Sequence, residues 1–346
     1  MNAVHDLPDA MPAALTATVD AATADAIDVS TELLRNWPLP MPGAEGDKEE
    51  RGHVLVLGGS REMPGAVILA ATAALRAGAG KLTVATGASV AQLVASAMPE
   101  ARVIGLAESE AGGFLPEAIA RLDPLADRVN AILIGPGMQD EAAAAELVHG
   151  LLGRMQGSDT AVVLDACAMG TLLHAPAGAQ PGVAFRFEQP VIITPHCGEM
   201  AHLTGMAKPD IVAGPDDPAR AAAAEWNAVV ALKGARTVIA SPSGALWQHE
   251  GGNVGLAISG SGDTLAGIIA GLAARGATLE QATCWGVALH ARAGERLASR
   301  MGVLGYLARE IPDEIPALLE SVAGLAAGDA TTIRATPGGR EERKSV

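Results

Sequence analysis

The chain has 346 residues, a formal net charge of −15 and 49% hydrophobic residues, but only 2% aromatic residues. Such a negative charge argues against nucleic acid and anionic membrane surfaces as partners, although anionic small ligands, which contact local donors, are not excluded. The three cysteines are far apart without metal-binding spacing, which suggests the reducing cytoplasm. Small aliphatic residues together with 41 glycines are typical of helices packed closely on a parallel sheet.

The first 30 residues are rich in Ala, Thr and Asp without clear periodicity, which predicts a mobile or loosely attached extension. This segment lacks the basic region of a signal peptide, and charged residues interrupt the longest apolar runs, so no membrane span is predicted. A short helix and a Pro-rich lead-in follow at residues 31–42. We expect an N-terminal extension over 1–45, a single domain over 46–325 and a polar tail over 326–346.

Predicted strands and helices alternate through the domain. Strands are expected at residues 53–57, 81–85, 102–106, 131–134, 161–164, 191–193 and 229–232, followed by a hairpin of 237–240 and 245–247. Helices are expected at residues 67–77, 116–122, 141–152, 218–227, 265–272, 279–298 and within 312–325. This alternation predicts a three-layer α/β fold, a mostly parallel sheet with helices on both faces. Ligands of such sheets bind beyond the carboxyl ends of the strands.

A glycine-rich turn, residues 259–264, leads directly into the apolar helix at 265–272. The first N–H groups of a helix lack internal partners, so Gly260, Ser261 and Gly262 can form a phosphate cradle. Asp263 lies in the first turn of this helix. A carboxylate beside a phosphate cradle suits a base that takes a proton from a hydroxyl during phosphoryl transfer. A helix cap is the alternative interpretation of Asp263, and the local sequence leaves both open.

Other polar residues follow predicted strands. His196 is expected to point into the cleft and to contact a ligand, or else to bond to nearby backbone. Glu199 suits either a magnesium–water shell or a helix cap. Lys233 lies between an apolar strand and a glycine, which favours phosphate contact over a solvated surface position. Asp165 is interpreted as a helix cap, and His290 as a buried histidine with satisfied hydrogen bonds.

Six stretches occur in the order found in one enzyme family. The chain resembles the ADP/ATP-dependent NAD(P)H-hydrate dehydratases, a branch of the ribokinase-like fold. One departure is Cys197, where the family commonly has proline, and this affects loop stiffness more than chemistry. The matching stretches are Gly58-Gly59-Ser60 with Met63-Pro64-Gly65-Ala66, Gly135-Pro136-Gly137, Leu164-Asp165-Ala166, Thr194 to Glu199, Leu232 to Ala240 and Ser259 to Gly267.

The resemblance implies an enzyme that repairs hydrated nicotinamide cofactors. ADP, or ATP in some members, phosphorylates the hydroxyl of the S epimer, and loss of phosphate restores NADH or NADPH. Matching positions imply that Asp263 is the base and also contacts the hydrate, together with Ala66, Gly137 and His196. They imply that the nucleotide, seen as AMP after transfer, is held by Lys233, Gly234, Ala235, Arg236, Thr237 and Gly262, with the amides of Gly260, Ser261 and Gly262 stabilising the transferred phosphoryl group.

The resemblance further implies Mg²⁺, whose ligands the sequence does not assign, and a cytoplasmic homo-oligomer, a tetramer in the family. About 50 residues precede the first strand of the domain, too few for an epimerase domain, so a separate epimerase is expected. Two alternatives stay open. One is a small-molecule kinase of the same fold acting on a hydroxymethylpyrimidine-like or thiazole-like alcohol. The other is a nucleotide-sensing module without turnover.

Overall fold

The computed structural model describes residues 25–43, 47–110, 112–126, 128–174, 176 and 185–324. Two predicted segments lie outside these residues: the greater part of the N-terminal extension, over 1–24, and the polar tail over 326–346. The described residues contain the whole alternation of strands and helices that the sequence predicts.

Ten strands of the described chain form one sheet in the order β1-β10-β9-β8-β7-β6-β5-β2-β3-β4. The strands β2 to β8 run parallel, and β9 pairs antiparallel with both β8 and β10, which confirms the predicted hairpin. The strand bounds are β1 (Ile27–Asp28), β2 (His53–Leu57), β3 (Lys81–Gly87), β4 (Arg102–Leu106), β5 (Ala131–Ile134), β6 (Ala161–Leu164), β7 (Val191–Ile193), β8 (Ala228–Leu232), β9 (Arg236–Ala240) and β10 (Leu246–Glu250).

Helices cover both faces of the sheet, as the alternation predicts. Helices α1, α2, α3, α9, α10 and α11 bury side chains on one face, and α4 to α8 on the other. Short 3-10 helices lie at Ala166–Leu172, Val254–Leu256 and Ala308–Glu310. The α-helices are α1 (Thr31–Asn36), α2 (Pro64–Arg76), α3 (Ala91–Ala97), α4 (Ala118–Ala126), α5 (Glu141–Arg154), α6 (Cys197–Thr204), α7 (Lys208–Ala213), α8 (Asp216–Trp226), α9 (Ser261–Ala274), α10 (Leu279–Met301) and α11 (Ile311–Ala323).

The central strands are apolar over most of their length because both of their faces are covered. In β2, Val54 and Val56 join one core cluster, while Leu55 and Leu57 join the other. Alternate side chains of a strand point to opposite faces, so one unbroken apolar run supplies both cores. In the described parts of the chain, no helix combines the length and apolar character needed to cross a bilayer.

Helices α2 and α9 pack against each other through two glycines of α9. A Cβ atom at Gly267 would overlap the carbonyl oxygen of Ala70, and one at Gly271 would overlap that of Ala74. The two glycines are one helical turn apart and therefore face the same neighbour. Their missing side chains let the two backbones approach closely, which fixes the position of α9 on the sheet.

Part of the segment predicted as a loose extension is built into the fold. Strand β1 pairs with β10 at the sheet edge, and Val29 is buried beside it. The ring of Trp37 stacks on Trp247, with ring centroids 6.1 Å apart, and the Trp37 carbonyl accepts a hydrogen bond from the Trp285 indole at 2.9 Å. The expectation of a loosely attached segment is therefore wrong for residues 27–30, because they complete the sheet edge.

Two short helices, α3 and α7, lie in stretches to which the sequence analysis assigned no element. Each buries few side chains: Val94 in α3 and Ile211 in α7 are their buried residues. Neither helix begins with a side-chain cap hydrogen bond. Helices of this length have little intrinsic stability, and tertiary packing decides whether they form.

We predict that Gly267→Ala destabilises the protein by about 1–3 kcal/mol, because the added methyl group forces the α2 and α9 backbones apart. Urea unfolding at neutral pH measures this change. Gly153→Ala is the matched control, since Gly153 is also helical but no atom lies within 4 Å of a Cβ placed there. The control should be neutral or more stable by up to about 1 kcal/mol. Equal effects at both sites would contradict the packing argument.

Candidate active site

Three neighbouring strand ends bring polar side chains together. Asp165 follows β6, Thr194 follows β7 and Lys233 follows β8. The Thr194 hydroxyl donates a hydrogen bond to Asp165 Oδ1 at 2.5 Å, and Lys233 Nζ donates to the same oxygen at 3.3 Å. Asp165 makes no side-chain cap hydrogen bond, so its interpretation as a helix cap is wrong. Its carboxylate instead holds the lysine at the carboxyl edge of the sheet.

The glycine turn places the amino end of α9 directly beside this lysine. Gly260 precedes the helix with a φ of 89°, a conformation that glycine adopts without strain. A Cβ atom at Gly262 would stand 3.4 Å from Lys233 Nζ. The N–H groups of the first helical turn have no intrahelical acceptor and carry partial positive charge. Lysine and amides together therefore form an anion-binding corner.

Asp263 is the third residue of α9 and lies close to this corner. Its carboxylate forms no hydrogen bond or ion pair with any residue that the structure describes, and the helix has no side-chain cap hydrogen bond. Burial raises the pKa of Asp263 to about 6, and repulsion from Asp165 and Glu199 adds to the rise, while Lys233 opposes it. A carboxylate with this pKa is ionised at neutral pH and accepts a proton more readily than an ordinary aspartate.

Lys233 stays positively charged in spite of its position. Burial lowers its pKa, but attraction from Asp165, Glu199 and Asp263 more than compensates, and the net pKa is raised. Only 19% of the side chain is exposed, and its Nζ is 3.9 Å from Glu199 Oε2. The interpretation of Lys233 as a solvated surface residue is therefore wrong.

His196 and Glu199 cap helix α6 reciprocally. His196 Nδ1 accepts hydrogen bonds from the amides of Gly198 at 2.9 Å and Glu199 at 3.0 Å, and Glu199 Oε2 accepts from the His196 amide at 2.7 Å. Because Nδ1 is an acceptor, the neutral ring carries its proton on Nε2. That nitrogen can donate to a ligand, so the cap and the predicted ligand contact are compatible.

A cavity of about 700 Å³ opens between the β8–β9 turn, the residues before α9, and α10. The Arg236 side chain does not line it, because the guanidinium pairs with Asp216 at 2.7 Å and with Gln248 at 2.5 Å. Gly260 also lies outside the lining. The sequence-predicted residues that do line the cavity are His196, Lys233, Gly234, Ala235, Thr237, Ser261 and Gly262.

Ala66, in the first turn of α2, and Gly137, just after β5, lie next to each other. A Cβ atom at Gly137 would be 2.9 Å from the Ala66 Cβ and 2.6 Å from the Met63 carbonyl oxygen. Gly137 has a φ of 70°. Glycine therefore permits both the turn and the close packing of Gly137 against Met63 and Ala66. Strands β5 and β6 are neighbours, and α9 packs across both of them.

His290 of α10 supports the glycine turn from behind. Its Nε2 is 3.1 Å from the Ser261 carbonyl oxygen and 3.0 Å from the Ser261 hydroxyl. Burial lowers the pKa of His290 to about 4, so the ring is neutral. The prediction of a buried, satisfied histidine is confirmed. Its contact with Ser261 was not predicted, because no local pattern links two residues on different helices.

No group of three or more His, Cys, Asp or Glu side chains in the described residues has a geometry that could hold a metal ion by itself. Mg²⁺ is commonly bound by one or two carboxylates together with substrate phosphates and water, and such a site need not form before the phosphates arrive. Asp165 and Glu199 are carboxylates that flank the anion-binding corner.

Comparison with known proteins decides between the alternatives that the sequence left open. The sequence profile of the NAD(P)H-hydrate dehydratase family matches residues 54–317. The chain belongs to this family. It is 49% identical to the ADP-dependent (S)-NAD(P)H-hydrate dehydratase of Xanthomonas campestris, over 84% of this chain and 96% of that protein. The chain is therefore related to enzymes, specifically lyases, rather than to sensing modules.

Solved structures agree with this assignment to the dehydratase family. An ADP/ATP-dependent NAD(P)H-hydrate dehydratase of Bacillus subtilis, co-crystallised with ATP/Mg²⁺, superposes with a TM-score of 0.72 at 31% identity, covering 87% of this chain and 100% of that chain. A ribokinase-like protein of Enterococcus faecalis gives a TM-score of 0.71 at 27% identity, covering 86% and 96%. The predicted ribokinase-like, three-layer fold is confirmed.

Some members of the dehydratase family are longer. The chain is 40% identical to the bifunctional NAD(P)H-hydrate repair enzyme Nnr of Moorella thermoacetica, over 82% of this chain but only 52% of that protein. The dehydratase unit thus corresponds to about half of the bifunctional relative.

We predict that Asp263→Asn stabilises the protein at pH 8. A carboxyl group whose pKa is raised from 3.8 to about 6 by folding penalises the folded state above pH 6, and the penalty fades as the pH falls towards 4. Asparagine removes this penalty, so the free energy of unfolding should rise by about 1–3 kcal/mol at pH 8 and change little near pH 4.

Urea unfolding at both pH values measures the effect. Asp313→Asn is the matched control, because Asp313 is also the third residue of a helix but is 62% exposed and pairs with Arg76. The free energy of unfolding of the control should fall by up to about 1 kcal/mol at pH 8. A destabilised Asp263→Asn would show that this carboxylate serves the fold.

Proposed function

We propose that the chain catalyses the ADP- or ATP-dependent dehydration of the S epimer of NAD(P)H hydrate and thereby restores NAD(P)H. The observation that carries the proposal is the position of Asp263. Its carboxylate, which pairs with no residue in the described part of the chain and has a pKa of about 6, lies beside the anion-binding corner of Lys233 and Gly262. A base is needed where phosphate donor and hydroxyl acceptor meet.

The nucleotide occupies the cavity of about 700 Å³, with its phosphates at the corner. The backbone of residues 233–237 and the amides of Gly260, Ser261 and Gly262 hold it. Lys233 donates to the phosphoryl oxygens on which negative charge accumulates during transfer. Asp165 and Thr194 keep the lysine at this position, and His290 keeps the Ser261 backbone in place.

The hydrate extends from the rim of the cavity along the ends of β5 and β2. It contacts Gly137 and Ala66 there, and His196, which also lines the cavity, donates a hydrogen bond from Nε2 to it. In this arrangement the hydroxyl of the hydrate lies beside the Asp263 carboxylate. Because the ligand covers the half-buried carboxylate, its binding excludes water from the reacting groups.

The reaction follows from these positions. Asp263 takes the proton from the hydrate hydroxyl, and the hydroxyl oxygen forms a bond to the terminal phosphorus of the nucleotide. The bond from that phosphorus to the bridging oxygen breaks, so ADP leaves as AMP. Loss of the phosphate ester as inorganic phosphate, with a proton from the neighbouring carbon, restores the double bond of NAD(P)H. Lys233 and the amides of the glycine turn stabilise the transferred charge throughout.

Mg²⁺ fits the donor groups at the corner. Glu199 and Asp165 are the carboxylates that would hold the ion, with the nucleotide phosphates supplying the remaining ligands. When bound, the ion neutralises phosphate charge. We further propose a cytoplasmic homo-oligomer that works with an epimerase, which converts the R epimer to the S epimer.

Asp263→Asn should lower turnover by about 10²–10⁴-fold, because asparagine cannot accept a proton at neutral pH. Single-turnover recovery of NADH absorbance measures the rate, and calorimetry checks that nucleotide binding persists. The wild-type rate should fall about tenfold per pH unit below pH 6, since Asp263 is then protonated. Asp313→Asn should keep the wild-type rate. A near-normal rate for Asp263→Asn would refute its role as the base.

Lys233→Met should weaken nucleotide binding by about 1.5–3 kcal/mol, roughly 10- to 150-fold, while the affinity for the hydrate changes little. Methionine retains the apolar stem and removes only the charged contact. Calorimetric titration with ADP measures the loss, and thermal unfolding monitors the effect of leaving Asp165 without its lysine. The exposed Lys208→Met is the control. Unchanged ADP affinity with unchanged turnover would exclude a phosphate contact by Lys233.

A further inference from the structure

A group of basic residues lies at the amino ends of the parallel strands, at the end of the sheet opposite the candidate active site. The neighbouring parallel strands β2, β3 and β4 begin with His53, Lys81 and Arg102. In the sheet register, His53 pairs with Lys81, and Arg102 pairs with Thr83. Arg128 precedes β5, which neighbours β2 on its other side. Each of these four adjacent strands thus contributes one basic side chain to the same end of the sheet.

These side chains surround a depression of about 680 Å³, which we call the amino-edge depression. One wall is a turn that includes Lys48 and Glu49, and this turn is held from both sides. Asp47 Oδ1 accepts hydrogen bonds from the Glu49 amide at 2.7 Å and the Glu50 amide at 3.2 Å. A Cβ atom at Gly80 would overlap the Lys48 carbonyl oxygen, so the turn packs directly on the Gly80 backbone.

The described lining of the amino-edge depression has a net positive charge, whereas the whole chain has a net negative charge. Its described lining carries four permanent cations, Lys48, Lys81, Arg102 and Arg128, against two carboxylates, Glu49 and Glu100, in a chain of net charge −15. Lys81 pairs with Glu49. Within the described residues, the guanidinium groups of Arg102 and Arg128 have no hydrogen bond or ion pair.

His53 forms part of the floor between these cations. Its Nε2 is 2.9 Å from the Thr83 hydroxyl. Burial, together with Lys81 and Arg102, lowers the pKa of His53, although Glu49 and the Arg128 carbonyl oppose this. The imidazole is therefore neutral at physiological pH, and the available positive charge of the depression comes from the two guanidinium groups and the Lys48 ammonium group.

We propose that the amino-edge depression binds a small molecule through a di- or triphosphate group, with Arg102 and Arg128 as the principal contacts. Two guanidinium groups that pair with no described residue, one from each side of β2 and β3, match several phosphate oxygens, because each can bind two oxygens in parallel. The volume is within the range of small-molecule sites, about 300–1,000 Å³. The depression lies at the amino ends of the strands, away from Asp263, and the proposal does not depend on the proposed function.

Hydrogen–deuterium exchange of the full-length protein distinguishes binding in the amino-edge depression from binding at the carboxyl ends of the strands. Tripolyphosphate at millimolar concentration should slow exchange in peptides covering residues 47–56, 80–86 and 101–106. In Arg102→Ala/Arg128→Ala this protection should disappear, while protection of the glycine turn at 259–264 remains. The calorimetric affinity of the amino-edge site should fall at least tenfold. ATP in a parallel arm distinguishes a nucleotide from free polyphosphate as the ligand.

Arg296→Ala/Arg300→Ala is the control for the change in net charge, because both arginines pair with Glu314 outside the depression. The control should bind tripolyphosphate as wild type does, and Arg102→Ala/Arg128→Ala should keep the wild-type turnover of the hydrate. Should the double variant not fold, Arg102→Gln and Arg128→Gln are tested singly, and each should weaken binding at the amino edge.

Two results would overturn the proposal. One is wild-type protein without protection at the amino edge at any phosphate concentration tested. The other is equal protection in wild type and the arginine variants, accompanied by a lower unfolding temperature of the variants. That result would mean that the arginines serve to stabilise the carboxyl ends of α3 and α4, where cations are favourable.

Discussion

The ammonium group of Lys233 stabilises the cluster of carboxylates that meets at the carboxyl ends of the parallel strands. Asp165, Glu199 and Asp263 come from a strand end and two helix starts, and all three attract this one side chain. Without the lysine, three carboxylates would repel one another in a half-buried space, with no cation between them. With the lysine present, Asp165 and Glu199 are paired with it. Burial and repulsion from these two carboxylates still raise the pKa of Asp263.

The position of Asp263 in turn depends on how closely α9 can approach its neighbours. Gly267 and Gly271 let α9 contact the α2 backbone, and the Ser261 carbonyl accepts a hydrogen bond from His290 of α10. Helix α9 is therefore fixed from two sides over β5 and β6. The amino end of the helix, with its unpaired amides, stands above the strand ends where Lys233 lies. A wider helix spacing would separate the amides from the lysine.

The parallel direction of the strands brings different kinds of groups together at the two ends of the sheet. Parallel strands bring their carboxyl ends to one edge, where glycine turns expose backbone amides and polar side chains meet. Their amino ends meet at the other edge, where His53, Lys81 and Arg102 begin adjacent strands. In both places, residues remote in sequence become neighbours because the strands run in the same direction.

The sequence by itself determined the strands of the parallel sheet, the hairpin of β9 and β10, and the glycine turn before α9, because each has a local signature of apolar runs or turn residues. It also identified Lys233, His196 and Asp263 as strand-end or helix-start residues. It could not show that Arg236 turns towards Asp216 or that residues 27–30 complete the sheet edge. Nor could it show that Asp165 binds Lys233 rather than capping a helix, or that His290 supports Ser261. Only the tertiary structure decided these points, because hydrogen bonds and pKa values depend on distances between residues that the chain itself keeps far apart.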